Sequence, residues 1–137
     1  IVNWKARIYA IREVAQGEGI GYSRTFITPK PMRIGVVSLG FADGYARCLY
    51  ASNKVYVLVH GKKTRILGKI CMDVMMIDLT DIPEAVVNDA VTVLGCDGEQ
   101  HISANLLGKE TGGTAVEITC GMGKRVKRVY ENEEGSC

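Results

Sequence analysis

A chain of 137 residues, 47% hydrophobic and 23% charged, has the length for one domain with a buried core and the composition of an ordinary globular protein. Its net charge of +2 is too small to mark a nucleic-acid surface or a membrane-binding face. The opening Ile1-Val2-Asn3-Trp4-Lys5 lacks the basic start and apolar centre of a signal peptide and reads as a cut from a longer polypeptide. No apolar run approaches the ~20 residues that span a bilayer, so no membrane contact is expected of this segment.

Short strands dominate the pattern. Ala6, Ile8 and Ala10 alternate with Arg7, Tyr9 and Ile11, and Arg33 to Leu39 is rich in β-branched residues. Val55 to His60 alternates again, and Gly61-Lys62 offers a hairpin turn into a strand from Thr64 to Ile70. Val74 to Leu79 and Ala90 to Leu94 follow, with a turn at Asp97-Gly98. Ser103 is a candidate N-cap for a short helix through Lys109, which ends near Gly112-Gly113. Glu117 to Cys120 and Lys124 to Tyr130 are read as the last strands, and 131–137 as a frayed tail. The fold class expected is mainly β, a small barrel or sandwich with one or two short helices.

Cys48, Cys71, Cys96, Cys120 and Cys137 are odd in number and no pair has metal-ligand spacing, so thiols are expected rather than disulfides or a metal site. The run Lys124-Arg125-Val126-Lys127-Arg128-Val129 alternates charge with valine and has no aromatic residue interleaved to stack bases. It reads as the solvated face of an edge strand.

Three local motifs carry more information. They are Gly21-Tyr22-Ser23-Arg24-Thr25-Phe26, Gly40-Phe41-Ala42-Asp43-Gly44-Tyr45 and Gly68-Lys69-Ile70-Cys71-Met72-Asp73. Each could be a sharp turn closing a strand and nothing else. Together, in this order and with this spacing, they resemble the carboxy-terminal domain of the alanine racemase family over residues 1–130.

The resemblance implies a domain of a pyridoxal-phosphate-dependent racemase that interconverts L- and D-alanine, serine or both and supplies D-amino acids for cell-wall synthesis. Tyr22 matches the family's tyrosine base, which exchanges the α-proton on one face of the substrate while the cofactor lysine serves the other. A phenol titrates near ~10, so such a base needs a positive or polar partner, which in the family comes from the other domain. Met72 matches the residue whose backbone N–H binds the substrate carboxylate, and Asp73 an acidic residue beside it. Cys71 is a neighbour in that loop and not a nucleophile.

Phe41 stands where the family usually has a tyrosine at the active-site entrance, and Ser23 replaces a common glycine. Gly113-Thr114-Ala115-Val116-Glu117 resembles a family segment with tyrosine at the Val116 position, beside the cofactor phosphate and the substrate methyl group. A smaller residue there occurs in membrane-anchored serine/alanine racemases associated with glycopeptide resistance. The family's cofactor lysine and phosphate loop belong to an amino-terminal barrel domain that this sequence lacks. Its enzymes are homodimers in which each site joins one subunit's barrel to the other's carboxy-terminal domain, so this domain is expected to serve a partner's cofactor in a cytoplasmic protein. The alternatives are a non-catalytic β domain for dimerisation or small-molecule binding, and the β domain of a basic-amino-acid decarboxylase. The latter's Gly-x-x-Cys-x-x-x-Asp spacing does not fit Cys71-Met72-Asp73.

Overall fold

The computed structural model describes residues 2–131. In chain order its strands are β1 (Trp4–Val14), β2 (Gly19–Ile20), β3 (Phe26–Ile27), β4 (Met32–Val37), β5 (Val57–Val59), β6 (Lys62–Thr64), β7 (Met75–Asp78), β8 (Ala90–Asp97) and β9 (Gln100–Ile102). The helices are α1 (Ala104–Glu110) and α2 (Ala115–Cys120). Six strands form one sheet in the order β6-β5-β8-β1-β4-β7, with β9 paired to β8, while β2 and β3 make a separate two-stranded ribbon. The two edges of the sheet then meet. The segment after β6 pairs with β7 through an Ile66–Ile77 bridge, and Leu67 N–H donates to the Met76 carbonyl at 2.8 Å. The result is a nearly closed barrel, which leaves few unpaired edge groups.

β1 explains how one strand can serve two packing zones. Its inward residues Trp4, Ala6 and Ile8 are buried, but the register against β4 shifts between Ile8 and Ala10, and Tyr9 is left exposed. A bulge of this kind reverses which face the following residues address. Beyond it, Val14 joins a small core with Ile20, Met32, Ile34 and Leu67, whereas Ile8 belongs to the main core inside the barrel. The main core includes Val57, Ile77, Val93 and Leu107, all fully buried. At ~1.5–3 kcal/mol for each such side chain, this burial and not the short hairpins holds the fold. Trp4 meets Tyr45 edge-on, with ring centroids 5.9 Å apart.

The barrel, the β-rich class and the Ser103-capped helix agree with the sequence expectation. Several details differ. The β5–β6 turn is His60-Gly61, with φ of 52° and 73°, and β6 ends at Thr64 instead of running to Ile70. That turn is one residue earlier than expected, whereas the β8–β9 turn is one residue later, since Asp97 pairs with Gln100. The strand expected over Glu117 to Cys120 is α2, because the Thr114 side chain caps the Glu117 N–H and starts a helical turn. Lys124 to Tyr130 is not a strand either but a turn followed by irregular chain. Cys48, Cys71 and Cys120 are free thiols as expected, while Cys96 is disulfide-bonded. Beyond Glu131 the expected frayed tail, with Cys137, lies outside the described residues.

Candidate active site

The three motifs converge because the loop between β6 and β7 reaches both of the others. On one side Tyr22 N–H donates to the Lys69 carbonyl at 3.2 Å. On the other, Phe41 N–H donates to the Cys71 carbonyl at 3.1 Å and Ala42 N–H to the Met72 carbonyl at 3.0 Å. Two glycines permit these approaches. A Cβ on Gly40 would lie 2.2 Å from the Met72 carbonyl oxygen, and one on Gly68 would lie 2.4 Å from that of Ile20. Either would force the loops apart.

Tyr22 projects from the tight connection between β2 and β3. Gly21, Ser23 and Arg24 all have positive φ (81°, 59° and 52°), so two residues with side chains sit in the left-handed region. Backbone strain of this kind persists only where surrounding contacts impose it. Here Arg24 N–H bonds the Gly21 carbonyl, and Thr25 Oγ1 donates to the Tyr22 carbonyl while accepting from Lys69 N–H. The Tyr22 side chain is 58% exposed. The Arg47 guanidinium lies 5.5 Å from its ring centroid and 6.0 Å from that of Phe41. A cation thus reaches the tyrosine from within this chain.

Met72 and Asp73 form the tip of their loop. Cys71 N–H closes its base on the Val74 carbonyl at 2.9 Å. Among the described residues the Met72 N–H has no acceptor, and the residue is 56% exposed. Asp73 is paired with Arg125, whose Nη2 lies 2.6 Å from Asp73 Oδ1 while its Nε lies 2.6 Å from Asp43 Oδ1. The other oxygen of Asp43 accepts the Gly40 N–H, which makes the short 3-10 turn Phe41–Asp43 self-closing. Hydrogen bonds to Asp43 and then to Asp73 hold the Arg125 guanidinium above its ordinary value, so it remains a cation.

Tyr22, Phe41, Cys71, Met72 and Asp73 therefore share one rim. Val116 is exposed on the first turn of α2. Arg47 and Arg125 were not among the residues singled out from sequence. Arg47 follows the second motif by two residues and carries no periodic signal, and Arg125 was submerged in the apparent basic strand face. Among the described residues no group of three or more His, Cys, Asp or Glu could hold a metal ion. No helix among them is long and apolar enough to cross a membrane.

The rim can present a phenol, a backbone donor and a cation to a small anionic molecule. Residues 1–130 match the family model described as alanine racemase, C-terminal domain. The chain is 42% identical over 135 residues to an alanine racemase of Halothermothrix orenii and 40% identical over 133 to one of Pseudomonas taetrolens, covering 98% and 97% of this chain. Its fold matches the biosynthetic alanine racemase of Pseudomonas aeruginosa with a TM-score of 0.83 at 37% identity, covering 95% of this chain and 35% of that one. It matches the Bartonella henselae enzyme, a structure with covalently bound pyridoxal phosphate, with a TM-score of 0.86 at 32% identity, covering 96% and 35%. The chain spans about a third of these relatives, 35% of each curated one. With the family model matched along nearly its whole length and the fold reproduced, the chain belongs to the alanine racemase family, as a domain of its carboxy-terminal type.

Proposed function

We propose that this chain is the carboxy-terminal domain of a pyridoxal-phosphate-dependent racemase that interconverts the L and D forms of alanine, serine or both. The carrying observation is the exposed Tyr22 phenol on the same rim as the unpaired Met72 N–H. Racemisation needs a proton carrier on each face of the α-carbon, because one base tends to return the proton to the side it came from. Tyr22 Oη takes or delivers the proton on one face, and the second base comes from beyond this chain. The Met72 N–H binds the substrate carboxylate, a suitable role for a donor whose direction is fixed by the backbone and which costs no side-chain entropy. Asp73 and Cys71 flank that donor, and Phe41 lines the entrance.

Pyridoxal phosphate, when bound, supplies the electron sink that makes the α-C–H acidic. The residues present fit such a group from one side only. Tyr22, Phe41 and Met72 are all solvent-facing and enclose nothing by themselves, as suits a face that closes over a cofactor carried by another domain. Val116 lies beside the cofactor in this reading. An amino-terminal barrel precedes residues 1–130 in the intact protein, a homodimer brings this rim to its partner's cofactor, and the enzyme supplies D-amino acids for the cell wall from the cytoplasm. The matched relatives favour neither the decarboxylase nor the non-catalytic alternative.

The test is D-isomer formation from L-alanine and from L-serine by the intact parent protein, beside this chain alone with added pyridoxal phosphate. The intact protein turns over and the chain alone does not. Turnover by the chain alone, or none by the intact protein, refutes the reading.

A further inference from the structure

Among the described residues, the Arg125 side chain ties the 40–44 turn, the Met72-Asp73 tip and the chain after α2 together. Its Nε reaches Asp43, whose side chain is 13% exposed, and its Nη2 reaches Asp73, which is 54% exposed. Asp43 in turn holds the Gly40 N–H through Oδ2, and its backbone carbonyl accepts the Gly123 N–H at 2.7 Å. The same turn donates Phe41 N–H and Ala42 N–H to the Cys71 and Met72 carbonyls. Both carbonyl contacts tie the tip to that turn through the backbone, and the Asp73–Arg125–Asp43 bridge ties it to the same turn through side chains.

We propose that Arg125 is a positioning residue that fixes the direction of the Met72 N–H by clamping Asp73 against the Asp43 turn. This deepens the racemase reading and rests on it for the identity of the Met72 ligand. The charge count argues against a direct ligand role for Arg125. One guanidinium faces two carboxylates, so the triad carries a net negative charge and does not attract a substrate carboxylate. The arms also differ. The Asp43 arm is mostly buried, and its loss leaves a shielded carboxylate with only the Gly40 N–H. The Asp73 arm is exposed, and exposed ion pairs add little to global stability. Its contribution is directional, since a backbone donor misaimed by an ångström loses most of its benefit to a bound ligand.

The experiment uses the intact parent protein and propionate, a carboxylate without an amine, with its dissociation constant read by calorimetry. Asp73→Asn and Arg125→Ala each weaken propionate binding about tenfold. Arg125→Lys recovers part of the loss, because one ammonium keeps the charge but cannot bridge two carboxylates in fixed directions. Asp73→Asn leaves the melting temperature unchanged, which separates aim from folding. If Arg125→Ala does not fold, Asp73→Asn decides alone. Dissociation constants within twofold of the wild type in the folded variants, or no propionate binding by the wild type, overturn the proposal. A wild type that binds propionate but racemises neither amino acid overturns the racemase reading and leaves the clamp to be judged by the dissociation constants.

Discussion

The Arg47 guanidinium stands 5.5 Å from the centre of the Tyr22 ring, and the two side chains come from loops on either side of the same rim. The stack fixes the ring of an otherwise exposed tyrosine. Arg47 is itself held in place, because it opens the 3-10 turn Arg47–Ala51 that is anchored by fully buried Leu49. An exposed cation–π contact contributes ~0.5–1 kcal/mol. Arg47→Ala in the intact enzyme should therefore lower kcat about two- to fivefold, with a smaller effect for Arg47→Lys. An unchanged kcat would mean the stack does not orient the phenol during turnover.

Tyr22→Phe removes only the hydroxyl and keeps the stacked ring. If the oxygen carries the proton, racemisation by the intact enzyme should fall by about 10² to 10⁴. The cofactor's absorbance spectrum should not change, since Tyr22 takes no part in holding it. Near-normal racemisation would reduce Tyr22 to a structural role.

Ser23 sits at φ 59°, where a side chain is disfavoured and a β-branched one more so. Ser23→Gly relieves ~1–2 kcal/mol of backbone strain and costs ~0.5–1 kcal/mol in unfolded-chain entropy, a small net gain. Ser23→Val should destabilise by about 1 kcal/mol or more. Chemical denaturation of both variants checks the order. Equal stabilities would place the strain elsewhere.

The Tyr45 hydroxyl is buried with no hydrogen-bond partner among the described residues, and burial pushes its phenol far above the ordinary tyrosine value. Tyr45→Phe removes an unsatisfied group and keeps the edge contact with Trp4, so stability at neutral pH should rise by about 1 kcal/mol. The sign with pH follows from the raised value. The folded state keeps a proton that the unfolded chain releases above ~10, so the contribution is complete below pH ~10 and is lost as pH rises further, by up to ~1.4 kcal/mol per pH unit. Denaturation curves at pH 9 and pH 11 should therefore show the advantage of Tyr45→Phe growing in alkali. A constant difference would contradict it.

Val116→Tyr probes substrate choice. The residue is 67% exposed on α2, so a tyrosine there disturbs no core and stability should stay within ~0.5 kcal/mol. If Val116 lies beside the substrate as proposed, the added ring refills space next to the β-carbon in the intact enzyme. An apolar pocket discriminates against an added hydroxyl by at most ~10², and valine in place of a large tyrosine shrinks that barrier, so the parent should racemise serine within about tenfold of alanine. The kcat/KM ratio should move towards alanine in Val116→Tyr. No movement would locate specificity beyond this domain.

The barrel was legible because alternation and β-branched runs mark half-buried strands, and burial then selects their inward faces. α2 was not, although its start carried a signal. Val116, Ile118 and Thr119 favour strands by propensity, yet Thr114-Ala115-Val116-Glu117 has the Thr-x-x-Glu spacing that opens helices, and the local cap prevailed. The one-residue error at the β5–β6 turn has a similar cause. Gly61 was placed first in the turn, whereas its positive φ suits the second place, after His60. Tyr22, Phe41 and Met72 were found through motifs. Arg125 could not be, because its partners lie 82 and 52 residues away and no local pattern encodes such a pairing.

The bulge near Tyr9 gives the two ends of β1 separate duties, and that separation has a kinetic consequence. The small cluster of Val14, Ile20, Met32, Ile34 and Leu67 lies next to the Tyr22 loop, while the barrel interior is filled by other residues. Openings of the small cluster need not melt the barrel, so the amide of Ile20 should exchange with solvent through a lower-energy local event than those of β8. The platform under the tyrosine can then loosen and re-form while the barrel stays closed.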